Sequence, residues 1–195
     1  HRRLGRSVVS GRVVDAAERE LALDGRHYQR GDLIVTVRTD ISSGATGIKP
    51  LGVNALLFAL SSCATWERYD ARSEAFVATD PPARHVNVLA EAPVYVHLPP
   101  LRGIARQPFL RADGSLAGRS GYDVDSGMFG AFDERQFKVK AQPSQQDAHT
   151  ALAGLRGLLA EFRFATPQDE AAALGLILTA TIRPSLPVAP MGHLK

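Results

Sequence analysis

Residues 111–132 place carboxylates and glycines close enough together to raise the question of a metal site. Asp123, Asp125 and Glu134 have the spacing of positions 1, 3 and 12 in a calcium-binding EF-hand loop. Such a loop also needs an oxygen ligand at position 5, where this chain has Gly127, and a helix before it. The pattern therefore does not predict a calcium site.

The same stretch does not match the loops that hold phosphate groups. A P-loop needs Lys-Ser or Lys-Thr directly after its last glycine, and none of Gly118, Gly121 and Gly127 is followed by that pair. A dinucleotide fingerprint would need a surrounding βαβ unit, which the sequence does not predict. We therefore interpret the stretch as tight turns between short strands, with Asp113-Gly114 as a turn dipeptide.

Other catalytic or metal-binding patterns are missing from the sequence. The six histidines form no H-x-x-x-H pair or Cys/His cluster, and no G-x-S-x-G motif occurs. The single cysteine, Cys63, lies in the apolar run "NALLFALSSCATW", which favours a buried side chain over a nucleophile. We expect no metal, no cofactor and no catalysis by this chain alone, although an unrecognised enzymatic site stays a third hypothesis.

Four arginines could form a basic face for nucleic acid. Arg102, Arg106, Arg111 and Arg119 fall within eighteen residues whose only acid is Asp113. Clustered arginines neutralise phosphates, which supplies most of the affinity of non-specific binding. The alternative is that these arginines are solvated surface residues with no ligand.

The segment "WERYDAR" combines aromatic and basic side chains, the two types that proteins use to bind single-stranded nucleic acid. Trp66 and Tyr69 could stack on bases while Arg68 and Arg72 contact phosphates. The alternative is that Trp66 and Tyr69 pack at the end of a helix.

Composition sets the broad class of the protein. The chain has 195 residues, a formal net charge of +3 and an ordinary apolar fraction, so it is long enough to form a hydrophobic core. No window approaches 18 uninterrupted apolar residues, and the N-terminus lacks the apolar region of a signal peptide. Together with the single cysteine, these features lead us to expect a cytoplasmic protein without membrane association.

The first part of the chain alternates between helical and extended patterns. Apolar spacing and turn residues predict helices over 12–23, 53–66 and 81–91. They also predict strands over 33–38 and 75–79.

The rest of the chain changes character near residue 142. Residues 94–141 read as short strands separated by Pro and Gly, with the apolar pieces "VYVHL" (94–98), "GIARQPFL" (103–110), "MFGAF" (128–132) and "FKVK" (137–140). Capping signals at Ser144 and Thr166 then predict two helices, which form a hairpin followed by a Pro-rich tail. We predict an α+β fold with a mixed module over 1–142 and a helical lead-in over 143–195.

Several segments, taken in order, resemble a known family. They are "YQRGDLIVTV", "WERYDARSEAFVATDPPARHVNVL", "LPPLRGIARQPFLRADGSL", "GYDVDSGMF" and "LLAEFRFATPQDEAAALGLILTATIRPSLPVAPM". Together they resemble the region before the P-loop ATPase domain in primase-helicase-like proteins of phages, plasmids and integrating conjugative elements. Ser126-Gly127 stands where that family usually has Thr-Gly.

The resemblance implies a context of mobile-element DNA replication, but it transfers no ATPase activity, because these 195 residues contain no P-loop. The first hypothesis is a module that binds or positions DNA, with single-stranded DNA as the candidate form. The second is a structural module that forms homo-oligomers or docks a partner P-loop ATPase domain.

Overall fold

The structure is a computed structural model that describes residues 7–140, 142–183 and 186, with side chains from residue 11 onward. The fold is α+β, as predicted. The chain divides into two compact units. Unit 1 comprises His1–Ile104 with Gly127–Phe129, and unit 2 comprises Ala105–Ser126 with Gly130–Lys195. The predicted division near residue 142 rests on sequence composition and stays a prediction.

Three helices form most of the core of unit 1. Helices α1 (Ser7–Leu23), α2 (Val53–Cys63) and α3 (Ala83–Ala90) pack against one another in pairs. Each presents apolar residues at helical spacing, such as Leu56 and Leu60 of α2, which are fully buried. The other buried members of this core are Ala17, Leu21, Ile34, Val86, Leu89, Tyr95 and Leu98.

An antiparallel sheet covers this helical core. Strands β1 (His27–Arg30), β2 (Leu33–Thr39) and β3 (Thr46–Pro50) lie in that order, and Ile34 of β2 belongs to the core. A separate antiparallel hairpin follows α2 and consists of β4 (Glu67–Asp70) and β5 (Ala75–Ala78).

Residues 94–98, predicted as a strand, form an irregular segment instead. Tyr95 and Leu98 are buried in the core of unit 1. The buried carboxylate of Glu18 in α1 accepts hydrogen bonds from the backbone N–H groups of His97 (2.5 Å) and Leu98 (3.2 Å). The backbone of this segment therefore finds a side-chain partner in place of a neighbouring strand.

Five short strands occupy the predicted β-rich region, and they are β6 (Gly103–Ala105), β7 (Phe109–Leu110), β8 (Leu116–Ala117), β9 (Gly121–Asp123) and β10 (Met128–Gly130). β7 and β8 pair antiparallel, and the remaining three form a sheet in the order β6-β10-β9. A 3₁₀ helix follows at Glu134–Gln136, and the predicted strand over 137–140 is absent.

The C-terminal helices of unit 2 begin where the capping signals predict. Helix α4 (Gln145–Leu158) starts after Ser144, and α5 (Pro167–Ile182) starts after Thr166. Both have complete capping boxes, so each cap hydroxyl and its acidic partner satisfy backbone N–H groups reciprocally. The predicted Pro-rich tail lies outside the described residues.

Three helix boundaries in unit 1 differ from their predictions, the first being that of α1, which begins at Ser7 and not at residue 12. Helix α2 ends at Cys63 and not at residue 66, because Ala64 is already extended (φ −141°, ψ 148°). Helix α3 begins after Pro82, whose backbone is extended, and not after Asp80. No helix within the described ranges is long and apolar enough to cross a membrane.

Candidate functional site

The glycine- and aspartate-rich stretch over 111–132 forms turns, as predicted. The side chain of Asp113 accepts a hydrogen bond from the backbone N–H of Ser115 (2.8 Å), and Gly114 adopts φ +82° between them. Gly127 has φ +69°, and a Cβ there would lie 3.0 Å from the carbonyl oxygen of Pro100. Both positions therefore favour glycine for conformational reasons. The described part of the chain contains no cluster of three potential metal-binding side chains.

Arg111 makes several side-chain hydrogen bonds within unit 2. Its Nε lies 3.0 Å from both carboxylate oxygens of Asp123, and its Nη1 donates to Ser115 Oγ (3.1 Å) and to the carbonyl of Leu116 (3.3 Å). The hydrogen bond from Arg111, followed by one from Ser126, lowers the pKa of Asp123 to about 2 against the opposing effect of burial. Arg111 thus links the β7–β8 turn to β9, and a structural role accounts for it.

The other three arginines of the predicted basic cluster are exposed. Arg102 belongs to unit 1, whereas Arg106 and Arg119 belong to unit 2. Arg119 also lies near Glu134, whose pKa is lowered mainly by hydrogen bonds from Ser120 and to a smaller extent by the charge of Arg119. The cluster seen in the sequence is therefore divided between the two units.

Trp66 packs against the core of unit 1. Its indole Nε1 donates to the carbonyl of Leu60 at 3.2 Å, and the side chain is half-buried. This geometry corresponds to the packing alternative at a helix end, and Trp66 is not an open platform for a base.

The hairpin formed by β4 and β5 presents the remaining predicted residues. Tyr69 and Phe76 face each other across the strands, with ring centroids 5.5 Å apart, and are 54% and 68% exposed. Arg68 lies in β4 and Arg72 in the turn, both exposed. Every side chain of the two strands is exposed except that of Asp70, which is half-buried.

Acidic residues offset the arginines of this hairpin. Glu67, Asp70 and Glu74 lie in the same twelve residues as Arg68 and Arg72. Hydrogen bonds from Ser73 and from the backbone lower the pKa of Asp70, which closes the turn. Any attraction for an anionic strand would therefore come from individual arginines and from the rings, and not from a strong positive potential.

The two C-terminal helices leave apolar side chains uncovered within unit 2. Leu158 and Phe162 are 71% and 65% exposed, and no residue of α4 is buried. The two helices are joined by a bidentate ion pair in which Arg156 Nε lies 2.7 Å from Oε1 of Glu170. Of the leucines at helical spacing in this segment, Leu155 and Leu159 are half-buried, whereas Leu152 and Leu158 are exposed.

Sequence reasoning missed a cleft of about 570 Å³ in unit 1. It lies between α2 and the strands β1 and β2, and none of the eight predicted nucleic-acid residues lines it. Its residues are scattered between Gly25 and Ser62, with Phe129 added from a distant part of the chain. One sequence feature could have indicated the cleft, and it is the second face of helix α2. The residues on that face recur at three and four positions and are Ala55, Phe58, Ala59 and Ser62.

Comparison of the chain with family models, with curated proteins and with solved structures finds no match.

Proposed function

We propose that this chain is a non-catalytic module that contacts single-stranded DNA in a replication protein of a mobile element. The exposed aromatic pair on the β4–β5 hairpin is the observation that carries the proposal. The replication context comes from the resemblance to primase-helicase-like proteins. Such a module would act in the cytoplasm.

The hairpin exposes the side-chain types that proteins use to bind single-stranded DNA without sequence specificity. Tyr69 and Phe76 present partly exposed rings, packed edge to face, on one side of the strands, since residues directly opposite each other share a face. Base–aromatic stacking contributes about 1–3 kcal/mol per base and tolerates any sequence. Arg68 and Arg72 supply cationic groups on the same hairpin.

The experiment compares Phe76→Ala with Phe162→Ala in binding to a labelled single-stranded oligonucleotide. Both substitutions remove an exposed phenyl ring, but Phe162 lies beyond the end of α4 in unit 2. Loss of one stacking contact should weaken binding by Phe76→Ala roughly tenfold or more, while Phe162→Ala binds as the wild type does. Equal affinities for the two variants would contradict the hairpin as the contact surface.

The second candidate function is assembly, either as a homo-oligomer or by docking a partner P-loop ATPase domain. The exposed apolar side chains of Leu158 and Phe162 favour it, because apolar surface that the chain itself leaves open often marks an interaction site. Light scattering over a range of concentrations tests self-association. A wild-type monomer throughout would exclude the homo-oligomer, and an oligomer that Phe162→Ala dissociates would support it.

A further inference from the structure

We propose that the cleft in unit 1 binds a nucleoside phosphate, with the phosphate on Arg38 and the base against Phe58. The site goes beyond the proposed function and shares no residue with the β4–β5 hairpin. The same chemistry belongs to a free mononucleotide and to one nucleotide unit of a DNA strand.

Arg38 is the cationic residue of the cleft whose side chain has no ion-pair or hydrogen-bond partner within the described residues. No ion pair or hydrogen bond engages its guanidinium within the described residues, and its side chain is exposed. Gly47 lies directly opposite it on β3, so no neighbouring side chain covers it from that position. A guanidinium in this state can bind a phosphate through two parallel N–H groups.

The other charges that line the cleft balance one another. Arg26 donates to both carboxylate oxygens of Asp24, at 2.8 and 2.7 Å. The same carboxylate lies 3.0 Å from Nδ1 of His27, and burial lowers the pKa of His27, which favours the neutral ring. The net positive charge of the cleft therefore comes from Arg38.

Register adds a second cation close to Arg38. Thr36 pairs with Lys49 and Arg38 pairs with Gly47, so Arg38 and Lys49 lie diagonally on one face of the sheet. Diagonal neighbours are about 7–8 Å apart, a distance that long side chains span. A dianionic phosphate could thus be shared between the two groups.

Phe58 provides the most exposed aromatic surface of the cleft, which Tyr28 and Phe129 also line. Its side chain is 74% exposed, although Leu56 and Leu60 anchor the same helix in the core. The small residues Ala55 and Ala59 of the same helix also line the cleft. An exposed phenyl ring beside small residues suits a planar base, because stacking needs an open ring face.

Size and polarity agree with a ligand of this class. A volume of about 570 Å³ falls in the range of small-molecule sites, roughly 300–1,000 Å³. Inorganic phosphate would leave Phe58 without a role, and a purely apolar ligand would leave Arg38 unpaired. A molecule with a planar ring and a phosphate would contact both Phe58 and Arg38.

The test is calorimetric titration of the full chain with AMP, adenosine and inorganic phosphate. Arg38→Gln removes the phosphate partner, and Phe58→Ala removes the ring from an exposed position. Arg30→Gln is the matched control, because Arg30 is an exposed arginine of the same sheet that does not line the cleft. Far-UV circular dichroism confirms that each variant is folded.

We expect AMP to bind at least tenfold more tightly than adenosine or phosphate. Arg38→Gln and Phe58→Ala should each weaken AMP binding about tenfold, whereas Arg30→Gln binds as the wild type does. The proposal is overturned if AMP shows no saturable binding at about 10 mM, or if Arg38→Gln and Arg30→Gln bind AMP equally.

A second titration, with a single-stranded oligonucleotide, distinguishes a free nucleotide from a nucleotide unit of a DNA strand. It also distinguishes binding at the cleft from binding at the hairpin. If Arg38→Gln weakens binding of both AMP and a single strand, the ligand is a nucleotide unit of that strand. If it weakens AMP binding alone, the ligand is a free nucleotide. Phe76→Ala should leave AMP binding unchanged, so failure at the hairpin and failure at the cleft give different results.

Discussion

At the scale of residues, the hydrogen-bond partners of each arginine determine whether its guanidinium is available to bind a ligand. The guanidinium of Arg111 donates hydrogen bonds to Asp123, Ser115 and the carbonyl of Leu116, whereas that of Arg38 has no such partner in the described chain. Both belong to a sequence rich in arginine, and nothing local in that sequence separates them. The difference arises from turns that bring Asp123 to Arg111, a pairing over twelve positions that spacing alone does not reveal.

The Arg111–Asp123 pair should stabilise unit 2 in a pH-dependent way. Asp123→Asn should lower the free energy of unfolding by about 2 kcal/mol at pH 7, because it weakens a charged hydrogen bond. The carboxyl has a pKa of about 2 in the folded chain and 3.8 without these partners. The folded-state pKa is depressed, so the stabilisation is complete above about pH 4 and is lost as the pH falls towards 2.

Urea denaturation at several pH values measures this effect. The difference between wild type and Asp123→Asn should shrink as the pH falls from about 4 to 2. Asp125→Asn is the control, since Asp125 is largely exposed and lies 3.7 Å from Arg111. A difference that stays constant over that pH range would show that the pair does not carry the stability.

At the scale of elements, the two capping boxes predicted where α4 and α5 begin, whereas apolar patterns predicted less well how segments pack. Ser144 and Thr166 act as caps, as the sequence indicates, because a capping box involves only residues three positions apart. Trp66 was placed in helix α2 by its apolar neighbourhood, but the chain turns extended at Ala64 and the indole folds back onto Leu60. Likewise, Tyr95 and Leu98 enter the core without forming a strand, which depends on the distant carboxylate of Glu18.

The capping boxes should contribute measurably to the helical hairpin. Ser144→Ala and Thr166→Ala should each lower the free energy of unfolding by about 1 kcal/mol, because a backbone N–H loses its acceptor. Thr150→Ala is the matched control within α4, where the hydroxyl only donates back to the carbonyl of Gln146. Urea denaturation followed by far-UV circular dichroism gives the three values, and equal stability of all three variants would contradict a role for the caps.

At the scale of the whole molecule, composition and periodicity predicted the α+β class and most helices, since these depend on local pattern and burial. The candidate sites depend on long-range placement. The arginines of 102–119 are neighbours in sequence but belong to two units, while the cleft combines residues from β1, β2, α2 and Phe129. The hairpin residues Tyr69 and Arg72 were found because their aromatic and basic types are adjacent in the chain.

The salt dependence of single-stranded DNA binding tests the central claim most directly. Fluorescence anisotropy of a labelled oligonucleotide with the wild-type chain, at low and at roughly physiological salt, should show binding that weakens as salt rises. Two phosphate contacts from Arg68 and Arg72 give a slope of about −1.4 in log affinity against log salt, and Arg72→Gln should reduce that slope by about 0.7. No binding at either salt concentration would contradict the account and leave the assembly function in its place.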